Sequence, residues 1–597
     1  MRVMPRRLGP IAVVALARPF VLYAAAALAH PWMAGPDPVQ RSNVTVWVPT
    51  ALAGAAVLAV LIPPRGWIGE LAISAVAVAA VAVAVIAPGE GPLRLGILLL
   101  VLGVTIGARA IADLHRRLDV VGDARAALLL GIIALAVFIS LDPYHRAVQP
   151  TRSDEPHYLL ITQSLQLDGD LDLANDYAGD RYRTFYPQPF TEVHAIHVGD
   201  RIYPIRDLGL PVVAVPFFAL GGRLGVMLLV SLVGAALVAQ LFLLLRDLDV
   251  APRVALVATA LVALLHPVLT YASAEIEPEL FAALLFVIAV RALRRGTRSS
   301  PRALALASAC AGLIGIFTTR GWFLSLGIGL CIAVFALVPR ADLVRRLLAG
   351  AAPFAFLVLL ISYVDCRMFP FADGSGRCYF MPSAGYFLVR DQQTVLGAGP
   401  QIGAAGLLFD RTFGLVSHVP LYLLAFAGAV PLWRRARRGH AAEVAVLVIA
   451  GALLLAYISD IAYWWADEMP SSRYLLAPLP LIAVLAALGI EALISAWGRI
   501  GWAVVALLAI PSAFVTALYT VQPDLGYDLA ADVQRTGDPG RLWAYISLHW
   551  GVDPGLLFPS LVRPDGSTPL TLVVWCAVAL GLVGLGAIRR RPRTSAS

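Results

Sequence analysis

Two adjacent carboxylates, Asp154 and Glu155, carry the residue types best suited to chemistry in this 597-residue sequence. They stand just before segment 158–165, whose apolar residues recur three and four positions apart, as in an amphipathic helix. Ser153 is the predicted N-cap of that helix, and Pro156 fits its first turn. A carboxylate held there can accept the proton of a hydroxyl nucleophile. The alternative is a plain acidic helix start, where both charges favour the helix dipole.

Other residues with suitable chemistry are predicted to contact a substrate. His157 and Tyr158 adjoin the carboxylates, and Glu277 and Glu279 form a second acidic turn. Tyr463 and Trp464 lie at the end of an apolar run. The alternative for the two glutamates is a capping role at a helix start. The alternative for the two aromatic residues is anchoring at the membrane interface.

The elements that position these residues must be membrane helices. Hydrophobic residues make up 59% of the chain and charged residues 14%, whereas a soluble protein needs about 25% charged residues. Apolar runs of about 20 residues predict about sixteen spans, near 11–29, 44–63, 67–87, 91–111, 123–141, 223–245, 254–271, 277–293, 303–319, 322–338, 348–363, 416–432, 442–459, 475–495, 501–519 and 570–587. The predicted fold class is an all-α polytopic membrane protein.

Arginine placement gives the predicted orientation. The chain contains no lysine, so all 46 basic residues are arginine. They precede the first span, recur in alternate loops and fill the tail, and cytoplasmic loops are the ones that retain positive charge. Both termini are therefore predicted to be cytoplasmic, in the cytoplasmic membrane of a bacterium. The net charge of +8 reflects this topology and attraction to anionic lipids, which argues against a nucleic-acid partner.

Three long loops are predicted to face outside, at 142–222, 364–415 and 520–569. The first is acidic: from Asp142 to Asp207 it holds eleven Asp or Glu residues against six Arg. Its helix after the carboxylates is predicted to lie in the membrane interface. The predicted active site is therefore on the outer face.

Three arginines lie at predicted outer helix ends, where positive charge should be scarce. They are Arg320, Arg411 and Arg473, and guanidinium groups suit a phosphate ligand because they offer paired donors and stay charged. The alternatives are surface ion pairs or side chains that extend to the interface. For Arg411, the adjacent Asp410 is a candidate partner.

Cys366 and Cys378 lie twelve positions apart in an outer loop. An oxidising exterior favours a disulfide between them, with two free thiols as the alternative. His194 and His197 match no strong metal-ligand spacing. The favoured interpretation of the acidic loop 168–172 is a solvated turn. The alternative is a Ca²⁺ site, because oxygen-rich loops can bind Ca²⁺. No metal site is predicted, and a divalent cation is left open.

Several motifs, taken in order, resemble the GT-C superfamily of polyprenyl-phosphate-dependent glycosyltransferases, in particular protein O-mannosyltransferases and the aminoarabinose transferases of lipid A. These are the outer Asp154-Glu155 pair before a helix, and the segments 203–211, 316–320, 408–415 and 470–474. The resemblance covers roughly 123–520, which is predicted to be the catalytic core. Segment 1–122 would then be extra helices, and 521–597 an outer loop, a last span and a basic tail.

The resemblance implies an inverting glycosyltransferase with a GT-C-like helical bundle. A hexosyl or pentosyl group would pass from polyprenyl phosphate to a hydroxyl of a glycan, lipid or protein, with the acidic pair as catalytic residues. The three outer arginines would neutralise the leaving phosphate. The alternatives are a transporter or flippase of lipid-linked glycans, which should carry ionisable groups near midspan, and a non-catalytic scaffold.

Overall fold

The computed structural model describes residues 110–588, apart from 112–113, 119, 150, 190–193, 295, 339–341, 372–374, 376, 385–398, 467 and 537–538. The first four predicted spans, almost all of segment 1–122 and the tail after residue 588 lie outside the described residues.

Helices dominate the described part of the chain. They are α1 (Asp123–Val148), α2 (Glu155–Leu167), α3 (Ala174–Ala178), α4 (Gly209–Asp247), α5 (Pro252–Leu264), α6 (Val268–Ser273), α7 (Glu279–Ala292), α8 (Pro301–Phe317), α9 (Trp322–Leu337), α10 (Leu343–Met368), α11 (Pro400–Phe409), α12 (Leu415–His418), α13 (Leu424–Arg435), α14 (Ala441–Asp460), α15 (Leu479–Trp497), α16 (Arg499–Val521), α17 (Ala530–Thr536), α18 (Arg541–Trp550) and α19 (Thr568–Ala587). Strands β1 (Ala195–Val198) and β2 (Arg201–Pro204) form an antiparallel hairpin, in which Ala195 faces Pro204. Short 3₁₀ turns lie at Arg181–Thr184, Thr319–Gly321, Pro420–Leu423, Arg473–Leu475, Pro523–Gly526 and Pro554–Leu557, and a π-helical turn lies at Ala436–His440.

Eight helical stretches of the described residues are long and apolar enough to cross a membrane. They are Asp123–Asp142, Gly209–Asp247, Thr319–Leu337, Leu343–Met368, Pro420–Asp460, Leu479–Trp497, Arg499–Thr520 and Thr568–Ala587. The predicted fold class, an all-α polytopic membrane protein, is confirmed. Every predicted span from residue 123 onward contains a helix. The total of about sixteen stays a prediction, because the first four lie outside the described residues.

The long helix α4 is broken at Gly222, where the backbone takes φ +56° and ψ −139°. An L-residue side chain is disfavoured at such a φ, so glycine is the residue that permits the break. The helix thus begins at Gly209, well before the predicted span 223–245. Arg223 follows the break directly and points back to Glu155 near the start of α2.

Small residues let the central helices approach one another. A Cβ at Gly428 of α13 would lie 1.8 Å from the Leu485 carbonyl oxygen of α15, and one at Gly489 would lie 1.9 Å from the Leu424 oxygen. Glycines at membrane helix crossings allow this backbone contact, which gives van der Waals packing where lipid supplies no hydrophobic driving force. Any larger residue at Gly428 would push α13 and α15 apart.

The outer region covers α2. Residues Glu155 to Ser164 are all buried, although the amphipathic pattern predicts one polar, exposed side. Both sides of α2 are covered. Leu160 and Ile161 pack with Tyr203 of β2 and with Phe369 after α10, and the polar residues meet Arg223 and His194. Helix α2 therefore exists where it is predicted, but it is enclosed by the hairpin and by the end of α10.

Candidate active site

Asp154 precedes α2 as its N-cap residue, yet its side chain makes no capping hydrogen bond. The prediction that Ser153 is the N-cap is wrong by one residue. Ser153 instead takes a left-handed conformation, with φ +50°. A non-glycine residue in that region is uncommon and costs about 1 kcal/mol or more, so it persists only where surrounding structure holds it. The carboxylate of Asp154 is thereby left available for partners other than its own helix.

Those partners are two arginines. Arg206, which follows β2, forms an ion pair with Asp154 Oδ1, and Nη2 of Arg473 lies 2.9 Å from Oδ2. Burial alone would raise the pKa of Asp154, but the charges of Arg206 and Arg473 outweigh burial and hold the pKa below its usual value. Asp154 is therefore a carboxylate that stays ionised at neutral pH.

Arg473 lies at the centre of a buried charge cluster. Its Nη2 is 2.5 Å from Glu277 Oε2 and its Nε is 3.1 Å from Glu279 Oε1, in addition to the pair with Asp154. Ser472, just before it, has φ +68°, a second left-handed residue next to a member of the same ion pair. With three carboxylates around it and a side chain only 6% exposed, Arg473 has its donors committed within the protein.

Asp154, Tyr158, Arg206, Asp207 and Arg320, with Arg473 behind them, line a small cavity. The space, about 20 Å³, is close to that of one water molecule, so a sugar can bind only when the walls move apart. The side chains of Arg206 and Arg320 are 21% and 16% exposed. These two arginines are therefore the cations of the cluster most accessible to a ligand.

Arg320 and Asp207 are held from the 3₁₀ turn after α8. Arg320 Nη2 lies 3.1 Å from Glu279 Oε1, and its guanidinium stacks 4.2 Å from the Tyr474 ring centroid. Thr319 donates to Asp207 from its backbone N–H and its hydroxyl, at 2.9 and 2.6 Å. Burial raises the pKa of Asp207 to about 6, although the bonds from Thr319 oppose the rise.

Glu155 does not share this cavity. It forms a two-pronged ion pair with Arg223, at 2.6 and 3.2 Å, on another side of the start of α2. Burial raises its pKa, and Arg223 offsets part of that rise. The predicted pair of catalytic carboxylates is therefore divided between two separate ion pairs.

His157 is linked to the cavity through His194, which binds Arg206. Its ring stacks on His194 at 4.2 Å between centroids, and His194 Nδ1 accepts a 2.6 Å hydrogen bond from Arg206. Burial, together with the charges of His194 and Arg206, lowers the pKa of His157 to about 3. A neutral His157 thus packs behind the Arg206 partner and does not line the cavity.

Glu277 and Glu279 contact Arg473 but do not line the cavity, and three further residues predicted from sequence lie away from both. Arg411 pairs with Asp553 at 2.6 Å, and not with the adjacent Asp410. Trp464 is 2% exposed and belongs to the apolar core. Tyr463 is 42% exposed, as expected for an interface anchor.

Outside the cavity, the structure joins Cys366 to Cys378 in a disulfide with Cα atoms 4.9 Å apart. The bond links the end of α10 to the segment before Ser383, whose hydroxyl donates to Asp207 at 3.4 Å. Within the described residues, no group of three or more His, Cys, Asp or Glu side chains could hold a metal ion.

Sequence reasoning missed the roles of Arg206, Asp207 and Arg223. Arg206 lies in an outer loop, where positive charge should be scarce, so the argument that singled out Arg473 applied equally to it. Arg223 follows a glycine pair at the start of a span, and nothing in that local pattern points to Glu155.

No protein-family model and no curated protein matches the chain. Solved structures do match. The Archaeoglobus fulgidus oligosaccharyltransferase in its apo form is 14% identical, with a TM-score of 0.41 over 74% of this chain and 61% of that one. The archaeal oligosaccharyltransferase AglB in complex with an inhibitory peptide and a dolichol-phosphate gives the same values. The form tethered to an acceptor peptide is 15% identical, with a TM-score of 0.39 over 73% and 60%. The chain thus spans about three fifths of their length, and we base the functional proposal on its own residues.

Proposed function

We propose that the chain is an inverting glycosyltransferase that moves a hexosyl or pentosyl group from a polyprenyl-phosphate donor to a hydroxyl of a glycan, lipid or protein. The reaction would take place on the outer face of a bacterial cytoplasmic membrane. One observation carries the proposal: Asp154 starts a helix without capping it, and its carboxylate lies between Arg206 and Arg473 at a cavity. The order of the sequence motifs supports it.

Asp154 would act as the base. Because Arg206 and Arg473 lower its pKa, the carboxylate is ionised and can first accept a hydrogen bond from the acceptor hydroxyl. The acceptor oxygen then bonds to the anomeric carbon while the bond from that carbon to the phosphate oxygen breaks. The electron pair leaves on polyprenyl phosphate, the hydroxyl proton passes to Asp154, and the configuration inverts. A weakly basic carboxylate suits a late proton transfer, when the reacting hydroxyl has become acidic.

Arg206 and Arg320 are the cations that we assign to the departing phosphate. Both are partly exposed at the cavity, and charge develops on the phosphate as the bond breaks. Arg473, predicted from sequence to bind this phosphate, would instead orient Asp154, because its donors already face three carboxylates. Arg411 has no role in this scheme, since it pairs elsewhere.

The test is release of polyprenyl phosphate by the full chain in detergent. The probe is the polyprenyl-phosphate lipid fraction that accumulates in cells from which the protein has been removed. Asp154→Asn should lower the release rate about 10²- to 10⁴-fold, the usual contribution of a general base. Asp168→Asn, in the same loop but paired with Arg181 at the surface, should leave the rate unchanged. Full activity of Asp154→Asn would overturn the proposal.

The same assay separates the enzyme from a transporter of lipid-linked glycans. A transporter moves its cargo between two compartments, so the wild-type chain would release no polyprenyl phosphate in detergent. It would still move the labelled glycan lipid across the membrane of sealed vesicles. That pair of results would replace the glycosyltransferase proposal with the transporter.

A further inference from the structure

A second cavity lies at the opposite end of the helix bundle. It has a volume of about 330 Å³ and is lined by the ends of α13, α15 and α19 and by the π-helical turn after α13. This volume is within the range of about 300–1,000 Å³ found for ligand sites. Helix α15 begins at Leu479, shortly after Arg473, and its last residues line this cavity, so most of a helix about 28 Å long at 1.5 Å per residue lies between the two sites. By the predicted topology, this end is cytoplasmic.

The walls of this cavity are strongly basic. Arg434, Arg435 and Arg438 line it against one carboxylate, Glu491. Glu491 is already engaged, because Arg435 Nη2 lies 2.6 Å from its Oε2. Arg434 donates to the carbonyl oxygens of Gly586 and Ala587 at the end of α19, at 3.3 and 2.6 Å, and these neutral partners leave its charge uncompensated.

Arg438 is exposed at the cavity, and no hydrogen bond or ion pair joins it to another part of the chain that the structure describes. The cavity therefore carries two positive charges, those of Arg434 and Arg438, without a facing carboxylate. A site with this charge suits an anion that offers several oxygen acceptors, such as a phosphate group.

The surroundings favour a lipid phosphate over a free one. Ile588, the residue that follows α19 and lines the cavity, is 59% exposed, and Leu580 of α19 is 72% exposed. Helix α19 is long and apolar enough to cross a membrane, and only 11% of its most apolar stretch is buried within the protein. A phosphate seated in the cavity would therefore have acyl chains beside an apolar helix surface. We propose that this cavity binds the phosphate headgroup of an anionic phospholipid from the cytoplasmic leaflet, with Arg434 and Arg438 as its cations.

Two adjacent arginines provide a matched test. Arg438 lines the cavity, whereas Arg437 stacks on Trp433, 5.0 Å from the ring centroid, and does not line it. Binding would be measured as thermal stabilisation of the full chain in neutral detergent by phosphatidylglycerol, with phosphatidylcholine as the uncharged reference. Arg438→Gln should weaken phosphatidylglycerol binding about tenfold, the effect of one charge-assisted hydrogen bond, and Arg437→Gln should change it little. Glycerol phosphate at the same concentration should neither stabilise the chain nor compete.

Each contrary result overturns a definite part of the proposal. Equal weakening by both variants would mean diffuse attraction of basic residues to anionic lipid, without a site. Equal stabilisation by phosphatidylcholine would exclude recognition of the charge. Full competition by glycerol phosphate would replace the lipid with a soluble phosphate ligand. None of these results depends on glycosyl transfer, so the lipid site is tested independently of Asp154.

Discussion

Neutralising Arg473 is the most informative change to the outer charge cluster. In the native protein Arg473 lies within 3.1 Å of carboxylate oxygens of Asp154, Glu277 and Glu279. Burial raises the pKa of Glu277 well above its usual value even though Arg473 opposes that rise, and Glu279 and Asp154 add to it. Arg473→Gln keeps a side chain that can donate hydrogen bonds but removes the charge. The carboxylates would then repel one another in a buried site.

The expected loss follows from the geometry. Removing one partner of a buried ion pair destabilises a protein by about 3–5 kcal/mol, because a buried charge is left uncompensated. At about 1.4 kcal/mol per tenfold, the folding equilibrium of Arg473→Gln should fall by about two to three and a half powers of ten. The loss should be largest at alkaline pH. The orphaned carboxylates gain raised pKa values in the folded state, so the folded variant binds protons that the unfolded chain has released, and its stability falls as pH rises.

The assay is equilibrium unfolding in mixed micelles at pH 5 and pH 8. Arg411→Gln is the matched control, because Arg411 is also an outer arginine with a side chain only 13% exposed, but it pairs with Asp553 alone. The control should lose less stability and show a smaller difference between the two pH values. Native-like stability of Arg473→Gln at pH 8, or a loss that does not change with pH, would refute the reasoning. In that case the charge of Arg473 would not be what stabilises the carboxyl groups of the cluster.

Further outcomes follow from single features of the structure. Burial raises the pKa of Asp207 to about 6, against about 3.9 in an unfolded chain. The free energy of unfolding should therefore fall as pH rises from about 4 to about 6. Asp207→Asn should flatten this slope when unfolding is measured at a series of pH values. The His266 ring forms a 2.9 Å hydrogen bond with the carbonyl oxygen of Ser471, two residues before Arg473. His266→Ala should therefore lower the free energy of unfolding by about 1–3 kcal/mol and slow glycosyl transfer. His266→Asn should restore part of the stability and part of the transfer rate. Replacing Cys366 and Cys378 by alanine opens a loop of twelve residues and should lower the free energy of unfolding by about 2–3 kcal/mol in non-reducing conditions.

The helices were predictable because apolar length decides them. From residue 123 onward each apolar run became a helix, since backbone groups in lipid must be satisfied within the segment. Burial of the outer helix α2 was not predictable. Its pattern is amphipathic, but its polar residues are covered by partners from other segments, with Arg223 on Glu155 and His194 on His157. Contacts between segments so distant in sequence leave no trace in local periodicity.

The sequence predicted which residues belong to the site better than it predicted which of them form ion pairs with one another. Asp154, Glu277 and Arg473 were each conspicuous as charges in an apolar chain, and the structure brings them together. Glu155 goes elsewhere because adjacent residues at a helix start do not face the same side. Arg206 enters the cavity only because the β1–β2 hairpin returns the chain to the start of α2, which no local motif announces.

An outer arginine marks a buried ion pair, and it does not by itself mark a reactive site. Arg411 breaks the positive-inside pattern as clearly as Arg473 does, yet it lies with a single partner, Asp553, and is absent from the cavity. Arg411 and Arg473 differ in the number of carboxylates around each guanidinium group. Arg411 pairs with one carboxylate, whereas Arg473 is shared by Asp154, Glu277 and Glu279. Arg206 and Arg320 share two of these carboxylates, Asp154 and Glu279, and line the cavity with partly exposed side chains, which is why we assign these two arginines and not Arg473 to the phosphate of the proposed donor.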